Sequence, residues 1–267
     1  MNFLIATQKE AAPIIAAYKL QKDQGCPYPF YFKDDVRLVI SGIGSLQAAA
    51  ATAYLMGRFP KKNQVWINLG IAGHGSLEYG DVFVAGRILS ASEPTCFYPP
   101  QIIKSEIPIS ELTTGNEAQV NYRAEMGYDM EAHGFYQTAC LSSTRELVQV
   151  LKIVSDNPST PITEFKPEQA TSLIENKLSI IDQWKEALEK AYLEIKTPPQ
   201  VEKTFVLITQ IARFSSTRAH QLKTLLQQAW ALGVDFDTLE PIYSSTASSK
   251  EIITNLEKLL APKRILL

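Results

Sequence analysis

Cysteine and histidine are scarce in this sequence. The chain of 267 residues contains three of each. The cysteines, Cys26, Cys96 and Cys140, are odd in number and far apart, which argues against a disulfide framework and predicts a reducing compartment. No spacing typical of a metal site is present. We therefore expect neither a bound metal nor a cofactor.

Excess charge and long apolar runs are missing as well. The net charge of −2 leaves no basic field for nucleic acid. No apolar run is long enough to span a bilayer. The apolar start at Met1 lacks a basic region and soon meets Lys9 and Glu10, unlike a signal peptide. With 45% hydrophobic residues, the composition is ordinary for a globular protein. We expect a cytoplasmic protein that binds neither nucleic acid nor membrane.

Strand and helix patterns alternate through the first part of the chain. Their order is strand–helix, strands, helix, strand, strand, helix, strand, long helix, which is typical of an α/β fold. We predict a mixed central β-sheet flanked by helices. Among the helices, one is predicted over residues 132–147 and a long amphipathic one over residues 167–195. Residues 205–211 fit either a strand or a helix, because periodicity does not decide between them.

The best linker candidate in the chain is Thr197-Pro198-Pro199. We therefore predict an α/β domain over residues 1–196. Residues 197–267 are predicted to form a mainly helical C-terminal extension that packs on this domain or contacts a partner. The helical signals of the extension include a capping box that begins at Ser248.

Three acidic residues follow predicted strands. Glu10 comes after the strand at residues 3–6, Asp156 follows the strand at residues 148–154, and Glu131 stands where a strand gives way to a helix. Each has a structural alternative, which is a helix N-terminal acid for Glu10 and Glu131 and an Asx turn before proline for Asp156. Strand ends are also the usual ligand crevice of open α/β sheets. There, Glu131 could accept hydrogen bonds from the diol of a ribose.

Two glycine turns also follow predicted strands. Gly42-Ile43-Gly44 precedes an alanine-rich helix and places backbone N–H groups around a small concavity. The turn at residues 70–73 permits a ligand to approach the backbone closely, although tight turning explains these small residues equally well. The first turn lacks the third glycine of a dinucleotide fingerprint and the lysine of a P-loop, so we exclude both.

Together these motifs resemble the purine nucleoside phosphorylase/uridine phosphorylase superfamily. The resemblance covers roughly residues 1–195 and is closest to the methylthioadenosine/S-adenosylhomocysteine nucleosidases and the futalosine hydrolases. It implies a nucleoside phosphorylase-like fold. The residues that carry it are Ala6-Thr7-Gln8-Lys9-Glu10, Ser41-Gly42-Ile43-Gly44, Asn68-Leu69-Gly70-Ile71-Ala72-Gly73 with Gly80-Asp81-Val82, Asp129-Met130-Glu131-Ala132 and Val154-Ser155-Asp156.

The resemblance implies a role for individual positions. Glu10 matches the carboxylate that activates water, and Asp156 matches the acid that engages N7 of a purine and protonates the leaving base. Met130 and Glu131 match residues that hold the ribose, with the acid accepting its 2′ and 3′ hydroxyls. The remaining predicted substrate contacts are Ile43 on the side of the 5′ substituent, the Ala72-Gly73 backbone at the pocket floor, and Ile71, where the nucleosidases often have a serine.

The resemblance implies hydrolysis of the N-glycosidic bond of a 5′-substituted adenosine, such as methylthioadenosine or S-adenosylhomocysteine, by a homodimer. Hydrolysis is favoured over phosphorolysis because residues 6–9 and 68–70 hold no arginine that would bind inorganic phosphate. A phosphate-dependent phosphorylase stays an alternative. A catalytically degenerate nucleoside-binding or scaffold protein is another, because residues 85–114 and 116–131 are shorter than in the nucleosidases and Lys152 replaces an arginine.

Overall fold

The structure is a computed structural model that describes residues 1–195, 198–244 and 248–264. It contains two compact units, Met1–Ile195 and Lys196–Leu267. Buried apolar side chains of the first unit form two clusters, and those of the second unit form a cluster of their own. Among the described residues, no helix is both long and apolar enough to cross a membrane.

The first unit is an α/β structure. Its strands and helices, in chain order, are β1 (Asn2–Ile5), α1 (Gln8–Tyr18), β2 (Gln21–Asp23), β3 (Phe30–Lys33), β4 (Val36–Ile40), α2 (Ser45–Arg58), β5 (Trp66–His74), β6 (Val82–Ser90), β7 (Cys96–Phe97), β8 (Ile109–Thr114), β9 (Met126–Asp129), α3 (Ala132–Ala139), β10 (Val148–Asp156), α4 (Pro167–Glu175) and α5 (Leu178–Ile195).

The strands form one mixed sheet. Its order is β10-β6-β8-β9-β5-β1-β4-β3-β2, with β7 beside β6, and an additional pairing of β10 with β5 closes five of the strands into a circuit. Strands β4, β1, β5 and β10 run parallel to one another. Their carboxyl ends therefore meet at one edge, which is the usual ligand edge of such sheets.

Helices cover both faces of this sheet. Side chains of alternate residues point to opposite faces of a strand, so Phe3 and Ile5 pack in the cluster that contains α1, α4 and α5 residues, whereas Leu4 packs with residues of α2 and α3. Strand β10 is buried along its whole length. Burial on both faces explains why apolar residues occur on both faces of this strand and do not simply alternate with polar ones.

The second unit is helical in its described part. It contains α6 (Pro199–Ile211), α7 (Ser216–Ala231), α8 (Glu240–Ser244) and α9 (Ser249–Arg264). Residues 205–211, whose periodicity fits either a strand or a helix, belong to α6. The predicted fold class, a mixed sheet flanked by helices with a mainly helical C-terminal region, is confirmed.

Two helix predictions are wrong in extent. The helix expected over residues 132–147 ends at Ala139, just before a run of serine and threonine, which favour turns over helix interiors. The helix expected over residues 167–195 is broken between α4 and α5, at Asn176 and Lys177. Asparagine is a poor former of helix interiors because its side chain competes for backbone hydrogen bonds.

Candidate active site

A cavity of about 320 Å³ lies at the carboxyl ends of the parallel strands. All the site residues that the sequence predicts contribute to its lining: Glu10, Ile43, Ile71, Ala72, Gly73, Met130, Glu131 and Asp156. They come from five separate segments of the chain, and the fold brings them together. The catalytic and binding roles assigned to them stay predictions.

Glu131 reaches this cavity by an unexpected route. Strand β9, which precedes it, runs antiparallel to β5 and pairs with it only at Gly73 and His74. Because these are the last residues of β5, the end of β9 lies at the same edge of the sheet as the ends of the parallel strands. Glu131 therefore faces the cavity although its strand runs against β5.

Glu10 combines a structural role with a place in the cavity. Its Oε2 atom accepts hydrogen bonds from Thr7 N at 2.9 Å and Thr7 Oγ1 at 2.6 Å, which makes it part of a capping box at the start of α1. Its Oε1 atom accepts from Ile71 N at 3.0 Å. A Cβ atom at Gly70 would lie 2.7 Å from Oε1, so a larger residue at position 70 would displace this carboxylate from its present place.

Glu131 is buried and held by a glycine turn. Its Oε1 atom accepts a hydrogen bond of 2.9 Å from Gly44 N. Gly44 has a φ angle of 114°, which glycine adopts much more readily than other residues. Glycine at this position therefore allows the backbone N–H group to point at the carboxylate. Burial raises the pKa of Glu131 to about 7, against an opposing effect of the Lys152 charge.

A buried lysine, Lys152, interacts electrostatically with the acids of the cavity. Lys152 is 1% exposed, and its Nζ atom lies 2.8 Å from Asp129 Oδ2. Burial lowers the pKa of Lys152, but the carboxylates of Asp129, Glu131 and Glu10 outweigh this effect, so the pKa is raised and the side chain stays charged. Removing such a cation would leave buried carboxylates unpaired, which is costly.

Sequence reasoning missed the role of Asp129 in this network. Asp129 also accepts hydrogen bonds from Thr114 Oγ1 at 2.7 Å and from Ala132 N at 2.9 Å, so it ties β8 and the start of α3 to Lys152. A lysine within the apolar run of β10 was the available signal. A buried cation needs a buried anion, and Asp129, the first residue of the motif Asp129-Met130-Glu131-Ala132, was a candidate.

Each carboxylate oxygen of Asp156 accepts a hydrogen bond from a hydroxyl group. Ser155 Oγ donates to its Oδ1 atom, and the hydroxyl of Tyr122 donates to Oδ2 at 2.6 Å. The Asx turn considered for Asp156 belongs instead to Asn157, whose Oδ1 atom accepts from Ser159 N at 2.9 Å. Asp156 is thereby left to face the cavity. Tyr122 was not predicted, because nothing in the sequence near it indicates contact with a residue 34 positions away.

The cavity is acidic. Its described lining contains five carboxylates, one lysine and no arginine. The lysine, Lys9, lies 3.6 Å from Glu168 in an exposed ion pair. Within the described residues, no cluster of three or more histidine, cysteine or acidic side chains is arranged to hold a metal ion. The remaining lining is mainly small or apolar, which suits a flat, uncharged ring system better than an anion.

Known proteins match this chain by structure but not by sequence. No protein-family model and no curated protein sequence matches the chain. The fold is similar to solved structures of nucleosidases. That of 5′-methylthioadenosine/S-adenosylhomocysteine nucleosidase from S. pneumoniae matches with a TM-score of 0.57 and 19% identity over 70% of this chain and 98% of that one. The chain has the fold of these nucleosidases.

Two further nucleosidase structures match equally well. The 5′-methylthioadenosine nucleosidase of Arabidopsis thaliana gives a TM-score of 0.55 at 18% identity, over 68% of this chain and 94% of that one. The nucleosidase of Campylobacter jejuni gives 0.54 at 19% identity, over 67% and 95%. The predicted nucleoside phosphorylase-like fold is thus confirmed.

Proposed function

We propose that this protein hydrolyses the N-glycosidic bond of a purine nucleoside with a 5′ substituent, such as methylthioadenosine or S-adenosylhomocysteine. The observation that carries the proposal is the convergence of Glu10, Glu131 and Asp156 on one cavity. Two acids with different surroundings are what glycosidic cleavage needs, one to protonate the leaving group and one to act on water. The nucleosidase fold supports the same reaction.

Departure of the base is assigned to Asp156. The C1′–N9 bond breaks through a sugar cation, and a purine leaves easily only if it gains a proton. Asp156 in its protonated form gives that proton to N7 and becomes a carboxylate. Its two hydroxyl partners, Ser155 and Tyr122, then donate to the new negative charge.

Attack of water is assigned to Glu10. Its carboxylate removes a proton from a water molecule as the oxygen bonds to C1′, and its negative charge stabilises the sugar cation. The hydrogen bonds from Thr7 and Ile71 hold the carboxylate in one orientation. The products are the free base and the free sugar, with one water consumed.

Binding of the sugar is assigned to Glu131 and Met130. One carboxylate can accept hydrogen bonds from both hydroxyls of a vicinal diol, and Met130 supplies an apolar surface beside it. Ile43 lines the cavity and is 57% exposed, so it lies where the cavity meets solvent. A 5′ substituent of variable length can extend past such a residue.

Water is a better nucleophile here than phosphate. The described lining offers no arginine, and its one lysine faces Glu168. Inorganic phosphate would enter a cavity with five carboxylates and no bidentate donor. This argues against the phosphorylase alternative.

A nucleoside-binding protein without turnover is the second candidate. It is favoured by the hydrogen bonds that already occupy the acids, since Glu10 accepts three and Asp156 accepts two. A water molecule or a base must share these oxygens. Binding of a nucleoside without release of its base would support this candidate.

The test is release of free base, followed by chromatography, from methylthioadenosine, S-adenosylhomocysteine, adenosine, inosine and 5′-deoxyadenosine, with and without phosphate. We expect phosphate-independent release from the 5′-substituted nucleosides. Glu10→Gln and Asp156→Asn should each lower the rate by about 10²- to 10⁴-fold, as loss of acid–base catalysis does. Stimulation by phosphate would instead establish a phosphorylase.

A matched control exists for Glu10→Gln. Glu251 lies three residues after Ser248 at the start of α9, as Glu10 does after Thr7 at the start of α1, and its Oε2 atom lies 2.6 Å from Ser248 Oγ, as Glu10 Oε2 does from Thr7 Oγ1. Glu251→Gln should therefore perturb the same kind of hydrogen bond at a helix start but leave base release unchanged. Equal losses in both variants would refute a catalytic role for Glu10.

The expected homodimer and the cytoplasmic location also stay predictions, supported by the resemblance and the composition. Light scattering coupled to size-exclusion chromatography measures the first, and fractionation of the source cells measures the second. A monomer that is fully active would contradict the expected homodimer.

A further inference from the structure

Tyr122 makes an unusual contact with the proposed acid. Its hydroxyl donates to Asp156 Oδ2 at 2.6 Å. Its ring lies against the same glycine as Asp156, because a Cβ atom at Gly73 would be 2.9 Å from Tyr122 Cε1 and 2.4 Å from Asp156 Oδ2. Asp156 is among the described lining residues of the cavity and Tyr122 is not. Tyr122 thus binds the carboxyl group of Asp156 without being part of the described lining of the cavity.

The surrounding chain fixes Tyr122 in this place. The next residue, Arg123, donates its backbone N–H to the hydroxyl of Tyr128 at 2.9 Å, and the rings of Tyr122 and Tyr128 lie edge to face with centroids 6.0 Å apart. Glu125 N donates to Ser76 Oγ at 3.0 Å. The segment is therefore anchored to the edge of the sheet on either side of Arg123.

The close approach extends to the backbone. A Cβ atom at Gly75 would lie 1.7 Å from the carbonyl oxygen of Arg123, so this chain crossing is possible only with glycine at position 75. Gly73 and Gly75, both in or next to β5, together leave the space that Tyr122 and its neighbours occupy. The segment that carries Tyr122 therefore packs closely against the end of β5, next to Asp156.

Resting on the proposed function, we propose that Tyr122 is a positioning residue that orients the carboxyl group of Asp156 and strengthens it as the acid for base departure. When Asp156 gives its proton to N7, negative charge develops on its oxygens. A hydrogen bond to an ionised acceptor is roughly twice as strong as one to a neutral acceptor. The Tyr122 hydroxyl therefore stabilises the carboxylate more than the protonated acid.

Tyr122 keeps its own proton throughout. Burial raises the pKa of Tyr122, and its hydrogen bond to Asp156 raises it further. The hydroxyl is thus a neutral donor, and the proton that reaches the base is that of Asp156. The bond broken is O–H at Asp156 and the bond formed is N7–H, with no proton lost by the tyrosine.

The experiment uses the full chain and Tyr122→Phe, which removes the hydroxyl and keeps the ring against Gly73. The titration of the Asp156 carboxyl is followed by carbon-13 NMR, assigned with Asp156→Asn, alongside the pH profile of base release. We expect the midpoint of the Asp156 titration to rise by about one pH unit, the effect of one hydrogen bond to a charged group. On the low-pH plateau of the profile, where Asp156 is already protonated, kcat should fall by up to about tenfold, because the weaker acid gives its proton less readily. KM should change less than kcat.

A matched control is available at Tyr18. Its hydroxyl makes a similar bond of 2.7 Å to a carboxylate, that of Asp182, between α1 and α5. Tyr18→Phe should leave the Asp156 titration and the pH profile as in the wild type.

A second variant tests the inference if Tyr122→Phe does not fold. Site-specific 3-fluorotyrosine at position 122 is a stronger donor and should move the Asp156 midpoint to lower pH.

The outcomes separate this inference from the proposed function. If the wild type releases base and Asp156→Asn does not, but Tyr122→Phe and 3-fluorotyrosine both keep the wild-type midpoint, the inference on Tyr122 is overturned alone. If the wild type releases no base from any nucleoside, the proposed function fails and the catalytic part of the inference fails with it. In that case the carbon-13 titration still decides whether Tyr122 tunes Asp156.

Discussion

Glu131 lies under two opposing influences. Burial raises its pKa to about 7, Asp129 adds to this effect, and the positive charge of Lys152 together with the N–H group of Gly44 acts against it. The carboxyl group is thus poised between its protonated and ionised forms near neutral pH. A side chain that accepts hydrogen bonds from two hydroxyl groups does so best when it is ionised, because a protonated carboxyl uses one oxygen as a donor. Binding of the sugar should therefore depend on pH.

Nucleoside affinity should rise with pH through about 7 and become level above it, because the ligand binds the ionised form of Glu131. Below that pH, Glu131 must lose its proton before the nucleoside can bind. Affinity should therefore fall about tenfold for each pH unit. Calorimetric titration with methylthioadenosine between pH 5.5 and 8.5 measures this. Glu131→Gln should bind weakly at every pH. A pH-independent affinity in the wild type would contradict the assignment.

The same pKa makes a prediction for stability. Folded Glu131 keeps its proton up to about pH 7, whereas in the unfolded chain it ionises near pH 4.5. Its contribution to stability is thus fully present below pH 4.5 and is lost as the pH rises to about 7. Glu131→Gln, which stays neutral, should gain roughly 1–3 kcal/mol over the wild type between pH 5 and 8. Denaturant unfolding of both proteins at each pH tests this.

At the scale of elements, the contact of α2 with α3 sets the geometry around Glu131. A Cβ atom at Gly134 would lie 2.1 Å from the carbonyl oxygen of Ser45, so the first turns of the two helices touch through backbone. Gly44 just before α2 binds Glu131 just before α3. The spacing of the helices and the hydrogen bond to the carboxylate are therefore linked.

Gly134→Ala should force the two helices apart. We expect a loss of about 1–3 kcal/mol in the free energy of unfolding, as for other overpacked sites, together with weaker nucleoside binding through the displaced Gly44. Gly57→Ala in α2 is the control, because a Cβ atom there meets nothing within 4 Å. That variant should be stabilised by about 0.5–1 kcal/mol through helix propensity. Equal stability of the two variants would show that the contact is not tight.

At the scale of the whole molecule, the chain has two compact units with separate cores. The clusters of the first unit contain residues from Phe3 to Leu188, and the cluster of the second contains residues from Val201 to Leu260. Each unit thus has the buried apolar surface that independent folding requires. This is the physical basis for the proposed division into an α/β domain and a helical extension.

A fragment of residues 1–195 should fold without the rest of the chain. We expect a cooperative thermal transition by circular dichroism and, if the proposed function holds, base release at a rate within about threefold of the full chain, since the described lining of the cavity comes from this unit. The matching fragment of residues 198–267 should give a separate helical spectrum. A first fragment that is unfolded would show that its cores depend on the second unit.

Sequence reasoning reached the class of fold from local signals, and it reached the residues that line the cavity from those signals together with the family resemblance. Apolar runs predict strands, and acids or glycines that follow them lie at a shared edge whenever the strands are parallel. Local patterns alone therefore predict that Glu10 and Asp156 lie at one edge of the sheet. Helix ends were less well predicted, as the break at Asn176 shows, because competing side-chain hydrogen bonds act at single residues.

The sequence by itself determined that a mixed sheet forms, that its strand ends bear acids, and that glycine turns follow two of the strands. Only the tertiary structure decided that Lys152 pairs with Asp129 and that Tyr122 binds Asp156. It also decided that β9 reaches the cavity by running against β5. These pairings join residues that are far apart in the chain. Their interaction energy depends on how close the groups lie and how deeply they are buried, and both are set only when the sheet has formed.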